Sequence, residues 1–152
     1  MIETKFVGKL NSPVGILKII SDKERLLKIE FTSNGFAENN NDITKKTKIQ
    51  LLEYFDRKRK KFQLPVQIQE NNFNGNIWRL LLTIPYGTTV SYKQLAEMAG
   101  NPEACRAVGN ANNKNILPII IPCHRVIKSD GNLGGYSAGT YIKKYLINLE
   151  KE

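Results

Sequence analysis

The chain has 152 residues, of which 41% are hydrophobic and 24% charged, so it has the size of one ordinary domain or two small ones. This composition excludes disordered, collagen-like and disulfide-scaffold proteins, and we expect neither a membrane helix nor a secretory signal. The net charge of +9 suits a polyanionic partner such as nucleic acid, although solubility alone also explains it. We therefore expect a globular cytoplasmic protein, associated with the nucleoid if the source is prokaryotic.

The first part of the chain predicts a small sheet followed by one helix. Residues 4–10, 14–20 and 26–32 are rich in branched and aromatic side chains and are separated by turn-prone residues, which indicates an antiparallel meander. Ile49, Leu52 and Phe55 then recur at helical spacing among charges that continue to Lys61, which predicts an amphipathic helix. The basic run at its end is interpreted as a solvated helix end rather than a phosphate-binding patch.

A polar, asparagine-rich stretch at residues 69–76 predicts the boundary between two domains, 1–70 and 71–152. In the second part, the pattern predicts a helix at residues 77–84, a helix at 92–98 capped by Ser91, a helix capped by Asn101 with Pro102 at its first position, and a last helix at 140–149. The two middle helices form a helix-turn-helix pattern, whose second helix commonly enters a DNA groove. Most helical hairpins bind nothing, so this pattern alone does not establish DNA binding.

The residues that carry chemistry lie near position 123. Branched aliphatic residues and prolines at 116–126 predict an extended, buried strand that presents Cys123. The single histidine of the chain, His124, adjoins this cysteine and Arg125 follows it, so both are placed to favour a thiolate. Neighbouring side chains of a strand point to opposite faces, so His124 is expected to reach the thiol through a water, with Glu150 as the carboxylate that orients it.

Other candidate groups are weaker. Cys105 lies in a helical context without a histidine and is interpreted as structural packing. The glycine-rich residues 129–139 either let a ligand approach the backbone or form a flexible connector, and their spacing is not that of a phosphate-binding loop. Two cysteines and one histidine are too few for a typical zinc site, so we expect no metal.

Several motifs of the second part stand in a definite order. They are Pro85-Tyr86-Gly87, Val90-Ser91-Tyr92, Arg106-Ala107-Val108-Gly109, Ile-Pro-Cys-His-Arg-Val at 121–126, and Gly135-Tyr136-Ser137. In this order and spacing the chain resembles the O6-alkylguanine-DNA alkyltransferases, over about 80 residues from Phe73 onward. The residues before Phe73 fit loosely, as the small sheet-and-helix domain that such proteins often carry.

The resemblance implies an α+β fold: a small N-terminal antiparallel sheet with a helix, and a mostly helical C-terminal domain of winged helix-turn-helix type. It implies DNA repair by irreversible, single-turnover transfer of the alkyl group from O6 of guanine in double-stranded DNA to Cys123, with O4-alkylthymine left open as a second substrate. No cofactor is implied. We expect a monomer, with cooperative assembly on DNA left open.

The resemblance also assigns roles to individual residues. The catalytic residues are Cys123, His124, Glu150, Asn115 and Tyr92. The pocket for the extruded base is formed by Val126, Tyr136, Ser137, Ala138 and Lys143. The DNA contacts are Tyr92, Lys93, Asn101, Arg106 and Ser129. Within these sets, His124 with a water and Glu150 forms a proton relay, Tyr92 helps to expel the base and to protonate the departing guanine, and Arg106 takes the place of the extruded nucleotide.

Two positions depart from the commonest family pattern, and two other functions stay open. Ile116 follows Asn115 where a proline is frequent, and Ala138 stands where glycine or a bulkier residue also occurs. One alternative is a non-catalytic winged-helix module that recognises alkylated DNA. The other is a thiol hydrolase, which is disfavoured because an adjacent cysteine and histidine lack the spatial approach that a catalytic pair needs.

Overall fold

The structure is a computed structural model and describes residues 4–151. The chain divides into two compact units, and the division lies between Gln67 and Ile68. The division separates compact units and does not test whether two domains meet after residue 70. The domain boundary therefore stays a prediction. None of the helices in the described range combines the length and the apolar character that a membrane span needs.

The first unit is built on an antiparallel sheet with the strand order β1-β2-β3. Its elements are β1 (Phe6–Ser12), β2 (Gly15–Ser21), β3 (Leu26–Thr32) and α1 (Asp42–Phe55). Ser12 pairs with Gly15 across a tight turn, and the φ of 106° at Gly15 is one that favours glycine. Leu17 and Ile19 are fully buried, and α1 packs against β1 and β2. The predicted meander is confirmed, with strand bounds that differ by at most two residues.

The predicted apolar face of α1 is wrong. Ile49 is 59% exposed and Leu52 is 47% exposed, because another face of the helix meets the sheet. The buried residues of α1 are Thr44, Thr47, Gln50, Leu51 and Tyr54. The helix also ends at Phe55 instead of continuing to Lys61, because Arg57 adopts the left-handed conformation, with a φ of 60°, that terminates α-helices.

The second unit is mostly helical. Its elements are α2 (Phe73–Leu81), β4 (Val90–Ser91), α3 (Tyr92–Met98), α4 (Cys105–Asn113), a 3-10 helix (Cys123–Arg125), β5 (Val126–Ile127) and α5 (Thr140–Glu150). Helices α2, α3 and α4 pack on one another, and α5 packs against the 3-10 helix. Strands β4 and β5 form a short parallel pair. The predicted α+β class, with a small antiparallel sheet and a helical second part, is confirmed.

Capping side chains set where two of these helices begin. The Ser91 hydroxyl accepts from the backbone N–H of Gln94 at 3.0 Å, and the Gln94 side chain accepts from the backbone N–H of Ser91 at 2.8 Å. The predicted helix at 92–98 is confirmed with both bounds. Helix α2 begins four residues before its predicted start, because the Asn72 side chain accepts from the N–H of Gly75 and caps the helix at Phe73.

The predicted start of the next helix is wrong. Asn101 and Pro102 precede α4, whose first residue is Cys105. The backbone N–H of Ala104 donates to the Asn101 carbonyl at 3.0 Å, so these residues close a separate turn before the helix begins. Helices α3 and α4 nevertheless pack as a helix-turn-helix, with Val108 fully buried. The last predicted helix is confirmed and is one residue longer, as α5.

Residues 116–126 do not form the predicted strand. Ile119 has a φ of 75°, and Pro118 forms an isolated bridge to Ile121 across a turn. The Asn115 side chain donates to the Ile121 carbonyl at 2.7 Å, and this side-chain bond holds the turn in place of strand pairing. The chain then enters the 3-10 helix at Cys123. The segment is buried, as predicted, but its backbone is not extended.

Candidate active site

Cys123 is a buried residue on a fixed backbone. It begins the 3-10 helix and is 4% exposed. Its backbone N–H donates to the Ile121 carbonyl at 2.8 Å, and its own carbonyl accepts from Nδ2 of Asn112 at 3.1 Å. Both polar groups of its peptide backbone are therefore paired, and the sulfur is held at one position relative to α4.

His124 and Glu150 are hydrogen-bonded, as the sequence leads one to expect. Nε2 of His124 lies 2.6 Å from Oε2 of Glu150, and both side chains are buried. Burial lowers the pKa of His124, and the hydrogen bond and charge of Glu150 oppose this effect. A neutral imidazole whose Nε2–H donates to the carboxylate leaves Nδ1 as an acceptor. Within residues 4–151, this Nδ1 atom is buried and has no hydrogen-bond partner.

Arg125 does not serve the thiol, contrary to the sequence-based expectation. Its Nε donates to Oε1 of Glu150 at 2.8 Å, and its Nη2 donates to Oε2 at 3.1 Å. Its Nη1 donates to the Ile84 carbonyl at 2.7 Å. The backbone N–H of Gly87 also donates to Oε1 of Glu150. These donors hold Glu150 as an ionised carboxylate at a fixed place beside His124.

The resting cysteine is a thiol. Burial raises the pKa of Cys123, while hydrogen bonds from Asn115 and Tyr136 and the charge of Lys143 act in the lowering direction without cancelling it. Tyr136 is itself buried, which raises its pKa well above the usual value, so it stays a neutral phenol. The expectation that His124 and Arg125 favour a thiolate is therefore not met in the resting state, and a proton must leave Cys123 before it can act as a nucleophile.

Lys143 is a buried amine whose charge lowers the pKa of Cys123. Burial lowers its pKa to about 8, and a negative charge on Cys123 has the opposite effect. Its Nζ donates to the carbonyls of Leu133 and Gly135 and lies 3.4 Å from the Tyr92 hydroxyl. Lys143 therefore joins α5, the glycine-rich loop and Tyr92 in one polar cluster.

Tyr92 lies closely against the glycine-rich loop. A Cβ atom at Gly134 would stand 2.9 Å from the Tyr92 ring, and one at Gly109 of α4 would stand 3.8 Å from it. Gly134 also has a φ of 76°, a conformation that other residues rarely adopt. Burial raises the pKa of Tyr92, so its hydroxyl is protonated at neutral pH. The glycine is thus required both for the local backbone and for the close approach of the ring.

The remaining residues of the predicted pocket differ in their burial. Val126 and Tyr136 are buried, Ala138 is half-buried and Ser137 is exposed. Of these, Tyr136 lies close enough to Cys123 for each group to affect the pKa of the other. Tyr136 and Lys143 are the members of the predicted pocket that lower the pKa of Cys123.

Four of the five predicted DNA contacts lie at the surface of the second unit, and the fifth, Tyr92, is half-buried. Arg106, Lys93, Asn101 and Ser129 are all exposed. A cavity of about 650 Å³ opens between α4 and the glycine-rich loop, and Arg106, Tyr92 and Lys128 are among its lining residues. Cys105 also lines this cavity and is only half-buried, so it is not the packed residue that the sequence suggests. Across the described range, no three His, Cys, Asp or Glu side chains lie close enough to hold a metal ion.

Asn112 is a residue of the site that sequence reasoning missed. It is 1% exposed and binds the Cys123 carbonyl. It lies four residues after the buried Val108 on the same helix, so helical periodicity places its amide on the buried face. A buried polar residue needs hydrogen-bond partners, so an asparagine at a buried position of the predicted helix is the sequence signal that could have identified Asn112.

Two family models match the chain. The model described as "6-O-methylguanine DNA methyltransferase, ribonuclease-like domain" matches residues 5–68, and the model described as "6-O-methylguanine DNA methyltransferase, DNA binding domain" matches residues 72–152. Together these matches extend over both units of the chain.

The similar proteins agree with these models. A methylated-DNA–protein-cysteine methyltransferase of Methanosarcina barkeri is 38% identical over 150 residues, 93% of this chain and 94% of that protein. The constitutive methylated-DNA–protein-cysteine methyltransferase of Bacillus subtilis is 36% identical over 151 residues, 92% of each chain. The crystal structure of Mycobacterium tuberculosis OGT in complex with DNA has a TM-score of 0.86 at 35% identity and covers 94% of this chain and 91% of its own.

Proposed function

The chain belongs to the 6-O-methylguanine DNA methyltransferase family, and from this premise we propose that Cys123 is the residue that accepts the methyl group. The activity is DNA repair, in which a methyl group passes from DNA to a cysteine of the protein. The observation that supports Cys123 is its burial beside Tyr136 and Lys143, both of which lower the pKa of its thiol. Cys105 is half-buried, and its sulfur contacts only the Pro102 carbonyl among the described hydrogen-bonding groups.

The thiol proton leaves through His124. Nδ1 of His124 is a buried acceptor without a partner among the described residues, and Nε2 is fixed on Glu150 at 2.6 Å. A water between the Cys123 sulfur and Nδ1 carries the proton to the imidazole, and the Glu150 carboxylate stabilises the imidazolium that forms. This arrangement supports a relay from Cys123 through His124 to Glu150.

Methyl transfer then proceeds by direct displacement. The thiolate sulfur attacks the methyl carbon, so that an S–C bond forms while the bond from carbon to O6 breaks. The departing guanine carries the electron pair of that bond and takes a proton from the Tyr92 hydroxyl. Lys143, whose Nζ lies 3.4 Å from this hydroxyl, stabilises the negative charge that passes to Tyr92. The thiol gives up one proton and the guanine gains one, so no co-reactant is consumed.

The target nucleotide must leave the duplex to reach the sulfur. A methyl group on O6 lies within the base stack, and Cys123 is only 4% exposed. Arg106, exposed on α4, fills the space that the extruded nucleotide leaves. Phosphate contacts are made by Lys93, Asn101 and Ser129. The base is held by Val126, Tyr136, Ser137 and Ala138. The contacts outside the base pocket recognise phosphates and the shape of the DNA. Binding therefore depends little on the DNA sequence around the alkylated base.

The first experiment is an intact-mass measurement after incubation with excess duplex that contains O6-methylguanine, followed by peptide mapping. We expect a single added methyl group per chain, on Cys123, and no further turnover. Cys105→Ala serves as the control and retains the transfer, whereas Cys123→Ala loses it and still binds DNA. Full transfer by Cys123→Ala contradicts the assignment, and lesion binding without any mass change leaves a non-catalytic recognition module.

The role of Arg106 is tested with two substrates. Arg106→Ala is expected to slow transfer from duplex DNA much more than transfer from the free modified base, because only the duplex needs a residue to replace the extruded nucleotide. Single-turnover rates on both substrates provide the comparison. Equal slowing on the two substrates contradicts this role.

A further inference from the structure

A cavity of about 490 Å³ opens in the first unit, beside the beginning of α1. More than half of its lining residues are apolar, namely Ile43, Phe62, Leu64 and Pro65. Asp42 and Lys46 are the charged residues of the lining. A cavity of this size, with apolar walls and a few polar groups, is typical of a binding site. The residues proposed for methyl transfer and DNA binding all lie in the second unit, so neither activity accounts for this cavity.

The wall formed by residues 62–65 is fixed on α1 and on the sheet. Nε2 of the buried Gln50 donates to the Gln63 carbonyl at 3.1 Å, and Oε1 of Gln50 accepts from the N–H of Gln63 at 2.9 Å. The N–H of Leu26 on β3 donates to the Pro65 carbonyl at 2.9 Å. The cavity is therefore part of the fold, and a ligand can enter it without a rearrangement of the backbone.

The exposed side of α1 continues the apolar character of the cavity. Ile49 is 59% exposed and Leu52 is 47% exposed. Ile49 follows the cavity residue Lys46 by three residues, and Leu52 follows Ile49 by the same interval, so these side chains are neighbours along the helix surface. Lys45 lies four residues before Ile49 and adjoins it in the same way. We call the cavity together with these four residues the α1 docking surface.

The charge around the α1 docking surface is positive. Residues 42–61 contain eight lysines and arginines and three acidic residues. Two of these acidic residues, Glu53 and Asp56, already form ion pairs with cations of the same segment. Lys45 and Lys46 are exposed and form no ion pair within residues 4–151. The surface therefore combines apolar groups with cations that are available to a partner.

This combination favours one class of partner over three others. Single-stranded nucleic acids are bound on aromatic side chains, whereas the exposed apolar residues here are aliphatic. A lipid surface binds helices with a continuous apolar face, and the exposed side of α1 carries the carboxylates of Asp42 and Glu53. A second copy of the chain offers no acidic segment, because no two acidic residues are adjacent in its sequence. An acidic polypeptide with a large apolar side chain matches both the charge and the cavity.

We propose that the α1 docking surface binds an acidic polypeptide segment of a partner protein. One large apolar side chain of the segment fills the cavity, and its carboxylates pair with Lys45 and Lys46. Exposed ion pairs contribute little affinity each, so the apolar side chain provides most of the affinity while the charges orient the segment and speed its association. The first unit thus has a recruiting role that is separate from methyl transfer.

The test measures binding of a defined peptide to the full chain. The probe is a fluorescently labelled peptide of four aspartates followed by phenylalanine and leucine, and its anisotropy is recorded at low and high salt. We expect a Kd of about 10 to 100 μM at low salt, which increases as salt screens the charges. Replacing the phenylalanine by serine, or the aspartates by lysines, is expected to weaken binding by about tenfold or more.

Variants of the protein locate the binding site. Lys46→Glu and Ile49→Ser are each expected to weaken peptide binding by about tenfold. Lys23→Glu makes the same charge change at another exposed position of the first unit, and Leu82→Ser removes an exposed leucine of the second unit, so both retain the wild-type affinity. All four variants keep the wild-type rate of methyl transfer, which also shows that they are folded.

Three results contradict the proposal. The first is no binding at millimolar peptide, and the second is binding that Lys46→Glu and Ile49→Ser leave at full strength. The third is a protein that ignores the peptide but uses Lys46 and Ile49 to bind a single-stranded oligonucleotide or phosphatidylglycerol vesicles. Methyl transfer to Cys123 is measured separately, so failure of peptide binding leaves the proposed function intact, and failure of methyl transfer leaves the docking surface intact.

Discussion

At the level of single residues, two buried cations act on different groups of the site, Arg125 on the Glu150 carboxylate and Lys143 on the Cys123 thiol. Arg125 is a permanent charge, whereas the pKa of Lys143 is lowered to about 8 by burial. Arg125 therefore fixes the Glu150 carboxylate through two hydrogen bonds, while the charge that assists the nucleophile is itself dependent on pH.

The charge of Lys143 is expected to shape the pH dependence of methyl transfer. The ammonium group lowers the pKa of Cys123, so Lys143→Met raises that pKa and moves the increase of the rate with pH to higher pH. Above about pH 8, where Lys143 itself loses its proton, the difference between variant and wild type narrows. Single-turnover rates across neutral and alkaline pH measure this shift, with Lys144→Met as the exposed control. Superimposed profiles contradict the assignment.

The ion pair between Glu150 and Arg125 allows the contributions of Glu150 to stability and to catalysis to be measured separately. Glu150→Gln leaves the buried Arg125 without its carboxylate, and we expect the free energy of unfolding to fall by about 3 to 5 kcal/mol. The double variant Arg125→Met with Glu150→Gln removes both charges and regains much of this loss. Methyl transfer stays slow in both variants, because His124 lacks its carboxylate.

Denaturant unfolding and single-turnover rates test these two expectations separately. A double variant that recovers both stability and rate shows that Glu150 acts only through folding, which contradicts its place in the relay.

At the level of the elements, a helix or turn is predicted correctly from the sequence when the contacts that determine it join residues close together in the chain. Helix α3 is predicted with both bounds because Ser91 and Gln94 cap it within four residues. The turn before Cys123 is not predicted, because it depends on the Asn115 amide and on the positive φ of Ile119, which the pattern of branched residues and prolines does not reveal. Arg125 was misassigned for the same reason, since its partner Glu150 lies on α5.

The contact between the glycine-rich loop and Tyr92 gives a further prediction. A methyl side chain in Gly134→Ala would stand 2.9 Å from the Tyr92 ring and must displace it, so methyl transfer slows. Gly131→Ala is a matched control, because Gly131 also has a positive φ, of 89°, but a Cβ there has no neighbour within 4 Å. Both variants lose about 1 kcal/mol of stability from backbone strain.

The comparison uses single-turnover rates together with thermal unfolding. Equal rates in Gly134→Ala and Gly131→Ala contradict the role of this close contact in positioning Tyr92.

At the level of the whole molecule, the net charge of +9 does not by itself locate the surface that meets DNA. Two of the basic residues of the second unit, Arg125 and Lys143, are buried and hold groups of the active site. Lys93 is the exposed cation of that unit that is proposed to contact phosphate, whereas Arg106 is proposed to replace the extruded nucleotide. Two of the nine Lys and Arg residues of the second unit are therefore unavailable for phosphate contacts.

The salt dependence of DNA binding measures those contacts. Lys93→Gln is expected to reduce the slope of log affinity against log salt concentration by about one unit, because one phosphate contact is lost. Lys23→Gln, which removes an exposed charge from the first unit, leaves the slope unchanged. A reversed result, with the slope changed by Lys23→Gln alone, places the DNA on the first unit.

The burial of Cys123 has a consequence for a protein that is consumed in a single reaction. In the proposed reaction each molecule is used once, and its activity ends when the Cys123 sulfur is alkylated or oxidised. With Cys123 4% exposed and protonated at rest, a dissolved oxidant or alkylating agent encounters the half-buried Cys105 instead. In the proposed mechanism, burial thus keeps Cys123 unreactive until DNA presents an alkylated base to it in the correct orientation.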